Sequence, residues 1–364
     1  MPRYKATFPH MGTQSIAFKC LLNELGFDVT LPPPITRETI SLGSSHTPEF
    51  ACLPLKVNFG NYLEAIPSGV DIIFMAGGVG PCRFGLYGEV QREILRTMGY
   101  DLPFVVLEHP KNNLGELVEK FTRVLGNAFW RNLPRAAYLC WHKLAVMDRL
   151  DRKILFLAPR VGPENCRRLW RERRIFLQHI DQASEAGEMY RILRESSLAM
   201  DAYPQIKIKP LKIMLVGEIY VVLEPAVNFN MEETLSMMGI EVVRTIYFSR
   251  WVREQIFCSL FHLDWQRRLR AAARPYLTHF VGGHSVESVA HTALAAKEGI
   301  NGVIQLAPLG CMPELVAMSI LQQISKEKGI PVLSLLIDEH TSGTGVLTRL
   351  EAFVDLLEKK RKAV

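Results

Sequence analysis

The feature that most constrains this chain is a strand–loop–cysteine–helix unit written twice. Residues 70–110, VDIIFMAGGVGPCRFGLYGEVQREILRTMGYDLPFVVLEHP, and residues 300–340, INGVIQLAPLGCMPELVAMSILQQISKEKGIPVLSLLIDEH, share one grammar. Each runs an apolar strand, a glycine-containing loop, a cysteine, a helix, a glycine, a second strand and then Glu-His. The run Asp71–Ala76 is continuously apolar after its first residue, the pattern of a strand buried on both faces, and Val303–Ala307 is the corresponding buried run. Strands separated by helices of about ten residues demand parallel pairing through βαβ crossovers.

The upstream stretches match as well. FPHMGTQSIAFKCLLNELGFDVTLP and VGEIYVVLEPAVNFNMEETLSMMGIEVVRTIY both read strand, loop, helix, glycine, strand. In the first, Lys5–Pro9 is the strand, Ile16–Leu25 the helix and Phe27–Leu31 the next strand. In the second these are Lys212–Gly217, Met231–Met238 and Glu241–Phe248. Helices at Glu89–Met98 and Glu314–Lys326 and strands at Phe104–Leu107 and Pro331–Ile337 complete the two sets. The expected architecture is α/β: a duplication giving two similar halves with parallel sheets, joined by a mainly helical middle segment. The boundaries expected are 1–114, 115–205 and 206–364, the last closed by an amphipathic helix over Thr348–Lys360.

Composition narrows the function classes. The 364 residues are 48% hydrophobic and 22% charged, with a net charge of +6. That excludes a disordered chain and demands no nucleic-acid partner. No uninterrupted run of about 18 apolar residues offers a membrane span, and Met1–Phe8 has no signal-peptide core. A cytoplasmic protein is expected. Arg149–Arg174 carries nine Lys/Arg against three acids. It reads as a solvated helix face or a docking face for an acidic partner; a nucleic-acid groove lacks the interleaved aromatic residues.

Seven cysteines and no CxxC exclude a disulfide scaffold, zinc ribbons and ferredoxin-type loops in a reducing compartment. A metal site must gather its cysteines from distant loops. Cys82 and Cys311 stand just past buried strands and before helices, where open α/β sheets bind ligands and where the helix dipole favours thiolate. Cys52 precedes another helix after a proline-containing turn. Each has a proline nearby (Pro54, Pro81, Pro313). For these three, packing thiols and a shared metal site are both open readings. Cys20, Cys140, Cys166 and Cys258 read as small core hydrophobes. Three thiolates suit an iron–sulfur cluster better than zinc, whose structural sites take four ligands. A 4Fe–4S cluster held by three cysteines leaves one iron open.

TFPHMG, SHTPEFACLPLKVNFGNYLEAI, AGGVGPCRFGLYGEVQREIL, GEIYVVLEPAVN, GCMPELVAMSILQQISKE and DEHTSGTGVLTRLEAFVDLL together resemble the 2-hydroxyacyl-CoA dehydratase superfamily. The likeness is to its CoA-protein activase, or dehydratase-activator-related, branch, near the double-cubane cluster proteins. It covers both α/β halves. The resemblance implies two Rossmann-like halves with a 4Fe–4S cluster between them, held by Cys52, Cys82 and Cys311. It also implies an ATP-hydrolysing activator protein that injects a low-potential electron. A second cysteine triplet has no match here, although the other four cysteines keep an eight-iron double cubane open. No CoA pocket is identifiable, so acyl-CoA dehydration itself is not expected.

Around this site, Gly78, Gly80 and Gly310 read either as tight turns or as glycines that let backbone N–H groups approach cluster sulfides. Arg83 reads as a surface ion-pair partner or a counter-charge to a reduced cluster. His10 and His46 are candidate proton donors to a substrate at the open iron. Glu314 reads as an ordinary first-turn helix acid. His284 and His291 share a helix face but have no HExxH or carboxylate partner.

The leading expectation is an iron–sulfur protein of an anaerobe. It would accept an electron from a partner ATPase and reduce a small molecule, working as a homodimer or with a related chain. The rivals are a non-catalytic cluster-bearing subunit or relay, and a cluster-free ligand-binding α/β protein.

Overall fold

In a computed structural model the protein is described at residues 4–77, 81–107, 115, 119, 121–122, 126–207, 209–254 and 266–362. The chain divides into two compact units. One takes in residues of Met1–Leu144 and Ser249–Leu263, the other residues of Ala145–Phe248 and Asp264–Val364.

The first unit carries a parallel sheet of β1 (Lys5–Thr7), β2 (Asp28–Val29), β3 (Ile72–Ala76) and β4 (Phe104–Leu107) in the order β2-β1-β3-β4. The second carries β5 (Lys212–Gly217), β6 (Glu241–Arg244), β7 (Gly302–Pro308) and β8 (Val332–Ile337) in the order β6-β5-β7-β8. All six pairings are parallel. The two sheets therefore repeat one order, as the duplicated grammar requires, and the α/β class expected from the sequence holds.

In β3 the side-chain period of two explains the continuous apolar run. Ile72 and Phe74 pack with Leu22, Leu25 and Phe27 from the α1 (Gln14–Leu25) side. Ile73 packs with Phe59 and Tyr62 of α3 (Leu53–Ala65) on the other face. Phe27 meets Phe74 edge-on at 5.0 Å, and Tyr62 meets Phe104 likewise at 5.6 Å. In the second unit Met214, Val216, Val303, Val289, Leu321 and Ile324 form the corresponding core.

Helix α2 (Arg37–His46), absent from the sequence reading, crosses α3 at very short range. It starts at a Thr36–Thr39 capping box. A Cβ at Gly60 would lie 2.0 Å from the Thr39 carbonyl oxygen, and one at Gly43 would lie 1.8 Å from that of Lys56. Only glycine permits this approach, and it leaves α3 buried on every side from Leu53 to Tyr62.

Three expected strands are shorter than their β-rich sequences, β1 ending at Thr7 and not at Pro9. β2 pairs with β1 only over Asp28–Val29. β6 pairs with β5 only from Glu241 to Arg244, two residues short of the end of β5 at Gly217. Phe248 then begins a helix instead of ending a strand.

The basic segment keeps Arg149, Arg152, Arg167, Arg168, Arg171 and Arg174 exposed, as expected of a solvated helix face, and makes ion pairs within the unit. Asp151, buried, takes Arg173 at 2.7 Å and Arg244 at 2.9 Å. Arg244 also meets Glu232 at 3.2 Å and lies over the Tyr247 ring. Burial alone would raise the Asp151 pKa, but the two guanidiniums outweigh it and hold the carboxyl below its ordinary value. Arg160 pairs with Glu241, Lys153 with Asp201, Arg168 with Glu172 and Arg174 with Glu233. No described helix is long and apolar enough to cross a membrane.

Candidate metal centre

In the first unit, two cysteines start helical turns at the carboxyl end of the sheet. Cys52 is the N-cap of α3, with φ −72° and ψ 153°, and Pro54 sits in the first turn. Proline is suited to that turn because the first helical N–H groups have no intrahelical acceptor. Cys52 is 9% exposed and packs with Leu55, Met75 and Tyr87. Cys82 occupies the same kind of position, with φ −70° and ψ 130°, ahead of a 3-10 turn over Arg83–Leu86. Neither sulfur caps its own helix. The turn runs into α4 (Tyr87–Thr97), whose first residue hydrogen-bonds through its hydroxyl to the Cys52 sulfur. Phe84 in that turn braces the Tyr87 ring edge-on at 5.4 Å. The connection that Cys82 opens thus returns to Cys52 five residues later.

In the second unit the corresponding step is built from β7. Leu309 N–H donates to the Ile337 carbonyl at 2.9 Å, extending the β7–β8 pairing past the strand. Gly310 then takes φ +78°, a left-handed turn that an L side chain would strain. Cys311 N–H returns to the Pro308 carbonyl at 3.0 Å. Cys311, 6% exposed, is the N-cap of the helix Met312–Lys328, again with proline in the first turn. Cys82 follows the third strand of its sheet and Cys311 the third strand of the other. Both lie at helix starts.

Glu314, three residues after Cys311, is not an ordinary surface acid. It is 1% exposed. Its carboxylate accepts from Ser288 Oγ at 3.1 and 3.2 Å and from Gln305 Nε2 at 2.9 Å. Gln305 Oε1 accepts in turn from Ser334 Oγ at 2.8 Å, which orients the amide. Burial pushes the Glu314 carboxyl up to about 7, against the hydrogen bonds from Gln305 and Ser288 and with help from nearby Glu218 and Glu287. Glu218 caps the helix Ile219–Leu223, accepting the Tyr220 and Val221 N–H groups at 3.0 Å each. Burial raises its pKa too, opposed by those two bonds and by His284. The sequence held one clue to this network: a glutamine inside the apolar run GVIQLAP, which needs a buried polar partner. Ser288 was out of reach because its helix, Ser285–Ala295, has a weak periodic pattern.

The remaining candidates fall as follows. His10 Nε2 lies 2.8 Å from the Pro32 carbonyl and 3.0 Å from that of Pro33, so it carries the ring proton; His10 N–H donates to Asn61 Oδ1 at 3.0 Å. His46 closes α2, exposed, with Nδ1 2.9 Å from the Leu42 carbonyl. Arg83 is exposed on the turn after Cys82. Gly78, Gly80 and Cys258 lie outside the described residues. Cys140 and Cys166 lie within helices, and burial pushes each thiol up to about 12, as for a packing thiol. Among the described residues, no three His, Cys, Asp or Glu side chains are gathered closely enough to hold a metal ion. What fits an iron–sulfur cluster is the donor chemistry: three soft thiols, each at the N-cap position of a helical turn and making no side-chain cap hydrogen bond there.

The 2-hydroxyglutaryl-CoA dehydratase D-component family model matches residues 175–357, and the CoA enzyme activase uncharacterised domain matches residues 10–78. No curated protein matches the chain.

Proposed function

The chain belongs to the 2-hydroxyacyl-CoA dehydratase-like superfamily, and from that premise we propose that it is an iron–sulfur protein of low-potential redox chemistry. Cys52, Cys82 and Cys311 are the proposed ligands of one 4Fe–4S cluster. A cluster so held supplies, when bound, an iron open to a Lewis-basic substrate. The electron comes from an ATP-hydrolysing activator protein, and the acceptor is a small molecule. The backbone N–H group at Gly310 is proposed to face a cluster sulfide, with Arg83 as counter-charge and His10 and His46 as proton donors. The observation that carries this reading is the repeated placement of Cys82 and Cys311 as N-caps after the third strand of each sheet.

The word "component" in the name of the matching family favours a second reading, in which this chain is a subunit or electron relay working beside a related chain. Stable co-purification with such a chain, with no turnover alone, would select it.

The decisive experiment is iron and acid-labile sulfide per chain after strictly anaerobic purification, with an EPR spectrum of the reduced protein. About four of each, lost when Cys52, Cys82 or Cys311 becomes serine, is the expected result. About eight irons would move the proposal to a double cubane drawing on the other cysteines. Iron at zero would overturn it.

A further inference from the structure

The contact between Tyr87 and Cys52 has no counterpart in the ligand set proposed above. Tyr87 is 4% exposed and sits in an apolar cluster with Leu55, Met75 and Phe84. A phenol taken out of water keeps its hydroxyl hydrogen-bonded wherever the fold allows. Here that hydroxyl reaches the Cys52 sulfur. Its ring is fixed by Phe84, and its backbone opens the first turn of α4, directly after the 3-10 turn that Cys82 begins. One side chain therefore ties the sulfur at the start of α3 to the connection carrying the next cysteine.

We infer that Tyr87 is a positioning residue for the Cys52 sulfur, and that its hydroxyl sets how readily a cluster bound there holds an extra electron. The inference rests on the proposed role of Cys52 as a cluster ligand. The physical reason is direct. Reduction adds negative charge that spreads onto the ligand sulfurs, and a hydroxyl donor pointed at one of them stabilises the reduced form more than the oxidised form. The donor also holds the side chain in one rotamer, so the sulfur need not be ordered when the cluster is loaded.

Two variants with opposite expected signs test this. Tyr87→Phe keeps the ring and its contacts with Phe84 but removes the donor. Replacement of Tyr87 by 3-fluorotyrosine keeps the shape and makes the hydroxyl a stronger donor. The readouts are iron per chain and the ratio of reduced to oxidised cluster, followed by EPR at a fixed solution potential. Loss of a hydrogen bond to a charged sulfur is expected to lower that ratio roughly tenfold in Tyr87→Phe, and the fluorinated side chain is expected to raise it. Equal ratios in all three proteins, each with about four irons, would overturn the inference and leave the cluster standing. A wild-type protein without iron would overturn both. If Tyr87→Phe fails to fold or to load, the fluorinated protein decides alone: an unchanged ratio there refutes the role.

Discussion

Replacing Glu314 by Gln removes an ionisable group from the interior of the second unit and keeps its shape. The carboxyl is 1% exposed, and burial lifts its pKa from 4.5 to about 7. An unfolded chain loses this proton near 4.5, whereas the folded one keeps it to about 7. Between those values the folded state binds the extra proton, so stability falls as pH rises. At 1.36 kcal/mol per pH unit the gap amounts to about 3 kcal/mol. That stability is fully present below pH 4.5 and is gone once the pH passes 7. The glutamine variant has no proton to lose, and its amide can still meet Ser288 and Gln305.

The assay is urea unfolding of both proteins at pH 5, 6, 7 and 8. The expected result is a variant that gains on the wild type by about 3 kcal/mol between pH 5 and pH 8. Glu218, also raised by burial, is present in both proteins, so the difference between them isolates Glu314 apart from the coupling of the two carboxyls. Parallel pH profiles would refute the reasoning. They would mean that Ser288 and Gln305 solvate a charged carboxylate well enough to cancel the burial penalty.

Two further substitutions probe the scaffold. Asp151→Ala leaves Arg173 and Arg244 facing each other without their shared carboxylate. Breaking such a buried pair is expected to cost about 3–5 kcal/mol in chemical denaturation; a loss under about 1 kcal/mol would show that water replaces the carboxylate. Gly60→Ala places a methyl 2.0 Å from the Thr39 carbonyl oxygen, forcing α2 and α3 apart at an expected cost of at least about 1–3 kcal/mol. Amide exchange along α3 should quicken with it, and unchanged protection there would refute the close crossing.

What the sequence made legible follows from which forces are local. The strands and helices of both sheets come from apolar period and glycine stops, so β4, β5 and β8 lie close to their expected spans and Gly26 ends α1 in a left-handed cap. The three N-cap cysteines were legible for the same reason: a loop residue between strand and helix has few places to go. Strand ends were less legible, because the β-rich sequence continues past Val29 and Arg244, the last paired residues of β2 and β6. The basic segment is largely the solvated face its charge count implies, with Arg149, Arg152, Arg167, Arg168, Arg171 and Arg174 exposed; the pairing around Asp151 was hidden for a related reason. Asp151 collects guanidiniums from Arg173 and Arg244, residues 22 and 93 positions away, and charge counting cannot see a pair that only tertiary structure makes.

The polar partners of the site were hidden most deeply. Glu314 carries the local signature of a first-turn helix acid, which ordinarily lowers a carboxyl pKa by favouring the anion. Here the carboxyl is raised instead, because the helix Ser285–Ala295 and β7 close over it. Desolvation outweighs the hydrogen bonds from Gln305 and Ser288 once water is gone. Tyr87 shows the complementary case: in sequence it is an unremarkable aromatic five residues after Cys82, and only the packing of α4 against the start of α3 brings its hydroxyl to Cys52. Residue type and spacing thus locate the sulfurs, whereas the groups that would tune them depend on which distant elements exclude water from each one.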